Sequence, residues 1–278
     1  MLHLESHGDV VRLAMSTRVS RAAGYGVSAY FVRGVLIDTG FPVVAHEVAA
    51  WLDQARPRGV VLTHSHEDHA GNAELVARRG IPIAAGLATL NAIRAPEDIG
   101  FTRRLLWGRV PPLVSPIALF NPDGLVLLPT PGHARDHMVV WDAERETLFA
   151  GDLFLGVKVR AAHPGEDVRQ LVQSVRRVAA LRPKRMFDAH RGIVPDPVAS
   201  LTAKADWMEE TIAAVEDRIA RGWSDRAIVR DVLGREDSAY YMTRGAMSKI
   251  NFVRAARGGV RAAGRAVRDV RADVHSER

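Results

Sequence analysis

The chain has no cysteine among its 278 residues, which excludes disulfide bonds, thiolate metal ligands and a cysteine nucleophile. It also lacks a run of about 18 apolar residues, so the sequence predicts no membrane-spanning helix. The first residues do not combine a basic start with an apolar core, so no secretory signal is predicted. From these absences we expect a cytoplasmic protein.

Two common hydrolytic devices are missing as well. The sequence contains no Gly-x-Ser-x-Gly nucleophile elbow and no glycine-rich phosphate loop. The composition is that of an ordinary globular protein, because 47% of the residues are apolar and 25% are charged. The length suits one large domain, or a domain with an extension. Because the two motifs are absent, any catalysis must depend on other residues.

Three histidines and an aspartate lie close together in the segment Thr63-His64-Ser65-His66-Glu67-Asp68-His69. Imidazole and carboxylate groups together suit borderline divalent ions such as zinc, iron or manganese. His64 and His66 have period-two spacing, so an extended backbone directs both side chains to one side. Asp68 and His69 are adjacent and diverge, which would place them near a second ion. The segment predicts a metal site on the turn between a buried strand and a helix.

Three further histidine or aspartate residues follow apolar strands later in the chain. They are His133 in Pro131-Gly132-His133, Asp152 in Gly151-Asp152, and His190 in His190-Arg191-Gly192. We expect these strand ends to meet the first segment at one edge of a sheet core. A metal that keeps one position for water takes three or four protein ligands, so seven ligands with one of them bridging suit two metals. The sequence therefore predicts a binuclear metal centre.

The remaining histidines carry less information. His137 lies four residues beyond His133, and it either supports the ligands or is a polar residue at the start of a strand. The others, which have no neighbouring ligand types, are His3, His7, His46, His163 and His275. A histidine without such neighbours is usually structural, so these five are assigned no role.

In this order the motifs resemble those of the metallo-β-lactamase superfamily. The similarity covers about residues 5 to 200 and includes Val35-Leu36-Ile37-Asp38-Thr39-Gly40, which looks like that family's first motif. The resemblance implies an α/β fold, the αββα sandwich of two mixed sheets with outer helices. It also implies that Asp38 supports the metal-binding histidines. The implied ligand sets are His64, His66 and His133 for one metal, and Asp68, His69 and His190 for the other, with Asp152 bridging.

The spacing of the later motifs resembles the glyoxalase II-type branch, whose members hydrolyse thioesters of hydroxy acids. Lys158 and Arg160 fall near the positions where that branch has basic residues for glutathione, and a pair of solvated charges is the alternative interpretation. An acyl-homoserine lactonase usually has a tyrosine three residues after the bridging aspartate, where this chain has Leu155. That difference counts against this one lactonase activity.

Three functions agree with the predicted metal site. The leading hypothesis is a hydrolase of a small-molecule thioester, ester or lactone, in which a hydroxide bound to two metals attacks the substrate. Asp152 would bridge the metals, and Asp68 would orient the water or relay its proton. Zinc is the first choice of metal, before iron or manganese. A mononuclear iron persulfide dioxygenase is the alternative. A nucleic-acid phosphodiesterase is less favoured, because the 57 positions from His133 to His190 leave no room for the clamp domain of many nuclease relatives.

Residues 1–198 are expected to form the catalytic domain, in which strands and helices alternate except in one segment. From 92 to 122 the apolar periodicity fails, and five prolines interrupt the chain. Long irregular segments in compact domains are often functional. We interpret this segment as a substrate-facing flap that contributes Phe101 and Trp107, with an ordinary surface excursion as the alternative.

Residues 199–278 are expected to form a C-terminal helical extension with a basic tail. The segment 241–278 contains nine Lys/Arg and three Asp/Glu, so it carries +6, the net charge of the whole chain. Two stripes run along the tail, one of valines (Val253, Val260, Val267, Val274) and one of arginines (Arg254, Arg257, Arg261, Arg265, Arg268). They indicate helix pairing in a homo-oligomer, docking on the main domain, or nucleic-acid contact. Nucleic acid is the least favoured partner, because aromatic residues for base stacking are nearly absent.

Overall fold

The structure is a computed structural model that describes residues 1–22, 24–237, 240–241 and 243–258. Two β-sheets pack face to face, and helices cover the outer face of each. The predicted αββα sandwich is therefore confirmed. In the described part of the chain, no helix is both long enough and apolar enough to cross a membrane.

The first sheet contains six strands in sequence order. They are β1 (Leu2–His7), β2 (Val10–Met15), β3 (Val27–Val32), β4 (Val35–Ile37), β5 (Gly59–Val61) and β6 (Ile83–Ala84). The chain runs antiparallel as far as β4 and parallel from there. Parallel neighbours need crossover connections, and these contain α2 (Ala45–Ala55) and α3 (Ala73–Ala77). The connection between the antiparallel neighbours β2 and β3 contains α1 (Arg18–Ala22).

The second sheet contains five strands in the order β11-β10-β9-β8-β7. They are β7 (Val126–Pro129), β8 (Met138–Asp142), β9 (Thr147–Phe149), β10 (Arg185–Asp188) and β11 (Gly192–Val194). Only β9 and β10 pair in parallel, and α6 (Val168–Ala179) makes the crossover between them. Asp167 caps α6 by accepting from the backbone N–H groups of Arg169 and Gln170.

Aromatic rings pack in the core between the two sheets. Phe149 and Phe187 stack with their centroids 5.4 Å apart, and Tyr30 lies 5.2 Å from Phe187. The Tyr30 hydroxyl donates to the backbone carbonyl of Asp188 at 2.6 Å, which satisfies its buried polar atom. These contacts hold the end of β10 against the first sheet, directly beside the position of His190.

The segment from 92 to 122 contains more structure than expected. It includes α5 (Gly100–Trp107), which follows α4 (Leu87–Arg94). The expectation of a wholly irregular flap was therefore wrong. A helix of eight residues between Gly100 and Gly108, both with positive φ, is too short to show a clear apolar period. The other residues of this segment, 95–99 and 108–122, are irregular.

The C-terminal helices pack on the second sheet. Helix α7 (Pro197–Ala220) buries Leu201, Met208 and Val215 in the cluster that contains Leu148 of β9. Ser224 caps α8 (Asp225–Ile228), and a π-helical turn (Val229–Leu233) follows it. Residues 249–258 are helical.

The C-terminal helical extension is thus confirmed in its described part. The division into domains at residues 198 and 199 stays a prediction, as does an oligomer built through these helices. Val253 is fully buried in the second-sheet cluster. The stripe residues beyond 258 lie outside the described residues.

Candidate metal centre

The seven predicted ligands converge at one edge of the two sheets. The first four lie in the segment that follows β5, and the others follow β7, β9 and β10. Their donor atoms form two groups, within each of which all atoms lie within 4.8 Å of one another. One group is His64, His66, His133 and Asp152, and the other is Asp68, His69 and His190. These histidine and aspartate groups are able to bind metal ions.

Asp152 lies between the two groups and faces both. Its Oδ1 is 3.1 Å from Nε2 of His69 and 3.3 Å from Nε2 of His190. Its Oδ2 is 3.3 Å from Nε2 of His133. The two oxygens of this carboxylate are therefore directed at different ligand groups, which is the geometry that a bridging ligand needs.

Several donor atoms of the cluster are buried without a hydrogen-bond partner. Among the described residues these include Nε2 of His64, Nε2 of His69 and Oδ1 of Asp152. A buried polar atom without a partner is costly, and such atoms in native proteins usually have an explanation, of which an ion is one. Three such atoms that converge on one cluster of imidazoles and carboxylates fit the divalent ions that the sequence predicts.

Asp38 sets the orientation of two of these histidines. Its Oδ2 lies 2.8 Å from Nδ1 of His69, so that nitrogen donates and Nε2 is left to face the cluster. The hydroxyl of Thr63 donates to Asp38 at 2.9 Å and accepts from Nδ1 of His64 at 3.0 Å. One carboxylate thereby selects the tautomer of one histidine directly and of the other through a hydroxyl.

His190 and Asp152 are also held from behind. Nδ1 of His190 donates to the carbonyl of Gly26 at 2.7 Å, which leaves its Nε2 directed at the cluster. The backbone N–H of Asp152 donates to Nε2 of His137 at 3.0 Å, and Nδ1 of His137 then donates to the hydroxyl of Thr130. Burial lowers the pKa of His137 to about 3, so this ring is a neutral support for the Asp152 backbone.

The histidines of the cluster differ in the direction in which their pKa values are shifted. Burial lowers the pKa of His64 and His66 well below the usual value, so both imidazoles are neutral and available to a cation. Burial opposes protonation of His190 too, but the carboxylates of Asp152 and Asp68 outweigh it and raise the pKa of His190 to about 9. The strong negative potential of the two carboxylates, which attracts this proton, would equally attract metal ions.

A cavity of about 340 Å³ opens onto the cluster. Its polar lining includes Asp68, Asp152, His133 and His190. Its apolar lining includes Leu106, Trp107, Leu155, Val159, Leu171 and Met247. A substrate in this cavity would contact the ligand groups and an apolar surface together.

The predicted substrate residues lie in different places. Trp107 lines the cavity, whereas Phe101 is 64% exposed on α5 and is not part of the lining. Lys158 and Arg160 are exposed, and their neighbour Val159 faces the cavity instead. The substrate roles of these four residues stay predictions.

Three cavity residues had not been singled out in the sequence. His163 lies with its ring centroid 6.2 Å from those of His66 and His133. Arg103 donates to Glu67 at 2.5 and 2.6 Å, which ties α5 to the ligand segment. Lys204 is 1% exposed and lies on the apolar stripe of α7, three residues after Leu201. A lysine on the buried face of a predicted helix is a signal that the sequence does contain.

Comparison with known proteins places this site in a family. Residues 22–190 match the Metallo-beta-lactamase superfamily. The match covers more than half of the chain, and the protein belongs to the metallo-β-lactamase superfamily. The match does not single out the glyoxalase II-type branch.

Three relatives show how far the similarity extends. The Beta-lactamase-like protein 2 homolog of Caenorhabditis elegans is 25% identical over 65% of this chain and 63% of its own length. The Probable metallo-hydrolase YybB of Bacillus subtilis is 29% identical over 56% of this chain and 74% of its own. The Atrochrysone carboxyl ACP thioesterase of Aspergillus fumigatus is 28% identical over 49% of this chain and 38% of its own. The chain thus spans less than two thirds of the first and third of these relatives.

Solved structures agree on the fold. A metallo-β-lactamase family protein from Thermus thermophilus has a TM-score of 0.64 and 19% identity, and the match covers 92% of this chain and 94% of that one. An identity this low shows the fold alone.

Proposed function

We propose that this protein is a hydrolase that binds two divalent metal ions and cleaves a thioester, ester or lactone. His64, His66 and His133 would hold one ion, and Asp68, His69 and His190 the other, with Asp152 between them. The observation that carries the proposal is the position of Asp152, whose two oxygens face different ligand groups at 3.1 to 3.3 Å. Zinc is the proposed metal, since imidazole and carboxylate ligands suit it.

The chain's own residues would prepare the reaction. When bound, the ions supply a water that is nucleophilic at neutral pH and polarise the substrate carbonyl group. Asp68 lines the cavity, where its carboxylate can orient a water or accept its proton. The apolar residues of the lining would limit contact with bulk water, which would strengthen the electrostatic interactions at the ligand groups.

A thioester is the proposed substrate class within this range. Two observations support it, namely the sequence spacing that resembles the glyoxalase II-type branch and the thioesterase name of the A. fumigatus relative. The cavity volume of about 340 Å³ suits a small molecule. Assignment to the glyoxalase II-type branch remains part of the proposal.

The first test is the metal content of protein purified without a chelator or a histidine tag. We expect about two ions per chain, mainly zinc, together with hydrolysis of thioesters in a panel that also contains lactones and phosphodiesters. His66→Ala should remove at least one ion and lower turnover by on the order of a thousandfold, because the water is then no longer activated.

The matched control is His46→Ala, since His46 is exposed on α2 and away from the cluster. It should leave metal content and turnover unchanged. Full activity in His66→Ala would contradict the ligand assignment. About one iron per chain with oxygen consumption on a persulfide would replace the hydrolase with the dioxygenase.

A further inference from the structure

Lys204 is an unusual residue for its position. It lies on α7, its side chain is 1% exposed, and it lines the same cavity as Asp68 and Asp152. Its ammonium donates to the backbone carbonyls of Phe154 and Gly156 at 2.5 and 3.4 Å. Lysine is almost never fully buried without a charged partner, so this environment needs an explanation.

The described residues provide no counter-ion for this lysine. None of their carboxylate oxygens lies within 4.0 Å of the Lys204 ammonium. The two carbonyl groups accept hydrogen bonds, but they carry only partial charges, and the ammonium has a third N–H. Burial lowers the pKa of Lys204 to about 8, although Asp188, Glu166 and Asp152 oppose this shift from a distance. At neutral pH the group is therefore a buried cation whose charge is not balanced by an adjacent anion.

The other cations of the cavity are placed differently. Arg103 is paired with the buried carboxylate of Glu67. Arg191 is exposed, so water solvates its charge. Of the acidic groups that act on Lys204 from a distance, Asp188 is not part of the cavity lining, Glu166 faces Nδ1 of His133 at 3.4 Å, and Asp152 is a ligand in the proposed metal centre. Lys204 is thus the cavity cation that has the most to gain from an anion that arrives with the substrate.

We propose that Lys204 is an anion-binding residue and that the substrate carries a carboxylate or similar anionic group in addition to its scissile carbonyl group. This inference rests on the proposed function and narrows its substrate class. The apolar residues around Lys204 would contact the hydrocarbon part that joins the two groups. Leu155 and Val159, on the chain segment that the ammonium holds, provide part of that surface.

A purely structural role for Lys204 makes a different prediction. Leu155 has a positive φ of 53°, and its N–H donates to Asp188 at 2.7 Å. Lys204 binds the carbonyls on both sides of Leu155, so it also stabilises this turn after Asp152. If that were its whole role, replacing it would affect all substrates equally. An anion-binding role affects only the anionic ones.

The experiment uses three thioesters with the zinc-loaded full-length protein. Hexanoyl-mercaptoethanol is neutral, adipoyl-mercaptoethanol has an anionic acyl part, and hexanoyl-mercaptopropionate has an anionic thiol part. Lys204→Met removes the charge and keeps the shape, and Lys204→Gln also keeps a hydrogen-bond donor for the turn, in case the first variant does not fold. The control is Lys184→Met, which removes a charge from an exposed lysine paired with Glu146.

In the wild type we expect kcat/KM to be higher for at least one anionic thioester than for the neutral one. The Lys204 variants should lose about tenfold or more on that substrate and less than about threefold on the neutral one. Lys184→Met should change none of the three. The substrate that is affected shows whether the anion belongs to the acyl or the thiol part. An equal loss on all three thioesters, or no loss, would overturn the inference.

Binding separates this inference from the proposed reaction. Titration calorimetry compares adipate with hexanoate, which differ by one carboxylate, on the same proteins. If the wild type hydrolyses no thioester but binds adipate about tenfold more tightly, and the Lys204 variants lose this difference, the reaction fails and the anion site stands. If the variants keep the difference, or the wild type shows none, the anion site is wrong.

Discussion

The metal centre and the wall of the cavity beside it are built in different ways. The predicted ligands of the candidate metal centre come from four strand ends at one edge of the sheets. The wall includes residues of α5, the turn at 153–156 and α7, which are far apart in the sequence. It is held by contacts between distant residues, such as Arg103 with Glu67 and Lys204 with Phe154. Short motifs at these strand ends therefore indicate the centre in the sequence, whereas the wall depends on contacts that form only in the folded chain.

Two buried glutamates connect these regions. Glu67, 2% exposed, belongs to the ligand segment, and Glu74, 4% exposed, belongs to α3, which follows that segment. Glu67 receives the guanidinium of Arg103, and Glu74 accepts from the backbone N–H groups of Val114 and Ser115. Segment 92–122 is thus attached at two places to the chain that carries the predicted ligands.

The largest effect on stability is expected from Arg103→Ala. This change leaves the carboxylate of Glu67 buried without its partner, and loss of one member of a buried ion pair costs about 3–5 kcal/mol. Because Glu67 is not in either ligand group, the metal content should stay the same. Urea unfolding measures the loss of free energy, and elemental analysis measures the metal.

Arg104→Ala is the matched control, since Arg104 is 45% exposed and its ion pair is weaker. Its Nε lies 3.7 Å from a carboxylate oxygen of the exposed Asp98. It should cost less than about 1 kcal/mol. The double change Glu67→Gln with Arg103→Met should recover part of the loss, because no unpaired charge remains. Loss of metal in Arg103→Ala alone would show that the wall and the centre are not separable.

A smaller effect, confined to the centre, is expected from Asp38→Asn. Asparagine keeps one acceptor oxygen but no charge, so His69 and Thr63 lose the carboxylate that orders them. Changes of this kind lower metal affinity about 10- to 100-fold. Competition with a chromophoric chelator measures the affinity, and thermal unfolding of the metal-free protein checks the fold. Asp53→Asn, at an exposed aspartate paired with Arg79, should keep the wild-type affinity. Unchanged affinity in Asp38→Asn would refute the proposed support.

The αββα fold was predicted from the resemblance of the motifs to a known family, and the seven converging side chains were predicted from the residues for a physical reason. Each ligand lies a few residues beyond an apolar strand, so local patterns place them at one edge without any knowledge of the tertiary contacts. Strands β1 and β11 were not predicted. β1 is an edge strand in which the apolar alternation stops after Leu4, and the central residue of β11, Ile193, is 52% exposed.

The cavity wall could not be derived in the same way. The pairing of Arg103 with Glu67 joins residues 36 positions apart, and that of Lys204 with Phe154 joins residues 50 apart. The periodicity of apolar residues within a strand or helix does not indicate such contacts. The same is true of Lys158 and Val159. The sequence alone does not show which of these two neighbouring side chains faces the cavity.

The smallest effect on stability is expected at Glu74, which provides the second attachment of segment 92–122. Burial alone would raise the pKa of this carboxyl group. The hydrogen bonds from Ser115, Arg78 and Val114 outweigh burial and lower the pKa to about 2. Replacing Glu74 by glutamine removes the charge from this network, and we expect a loss of about 1.5 kcal/mol at pH 7, in the range for hydrogen bonds to a charged group.

The pH dependence of this loss identifies its source. Since the pKa is about 2 in the folded chain and near 4.5 in the unfolded chain, the folded state binds fewer protons between these values. The contribution of Glu74 is therefore fully present above pH 4.5 and disappears as the pH falls towards 2. The difference in unfolding free energy between wild type and Glu74→Gln should shrink over this window. Glu210→Gln, at an exposed glutamate of α7, should show no such change. A difference that stays constant down to pH 2 would mean that the shape of the Glu74 side chain, rather than its charge, holds segment 92–122 in place.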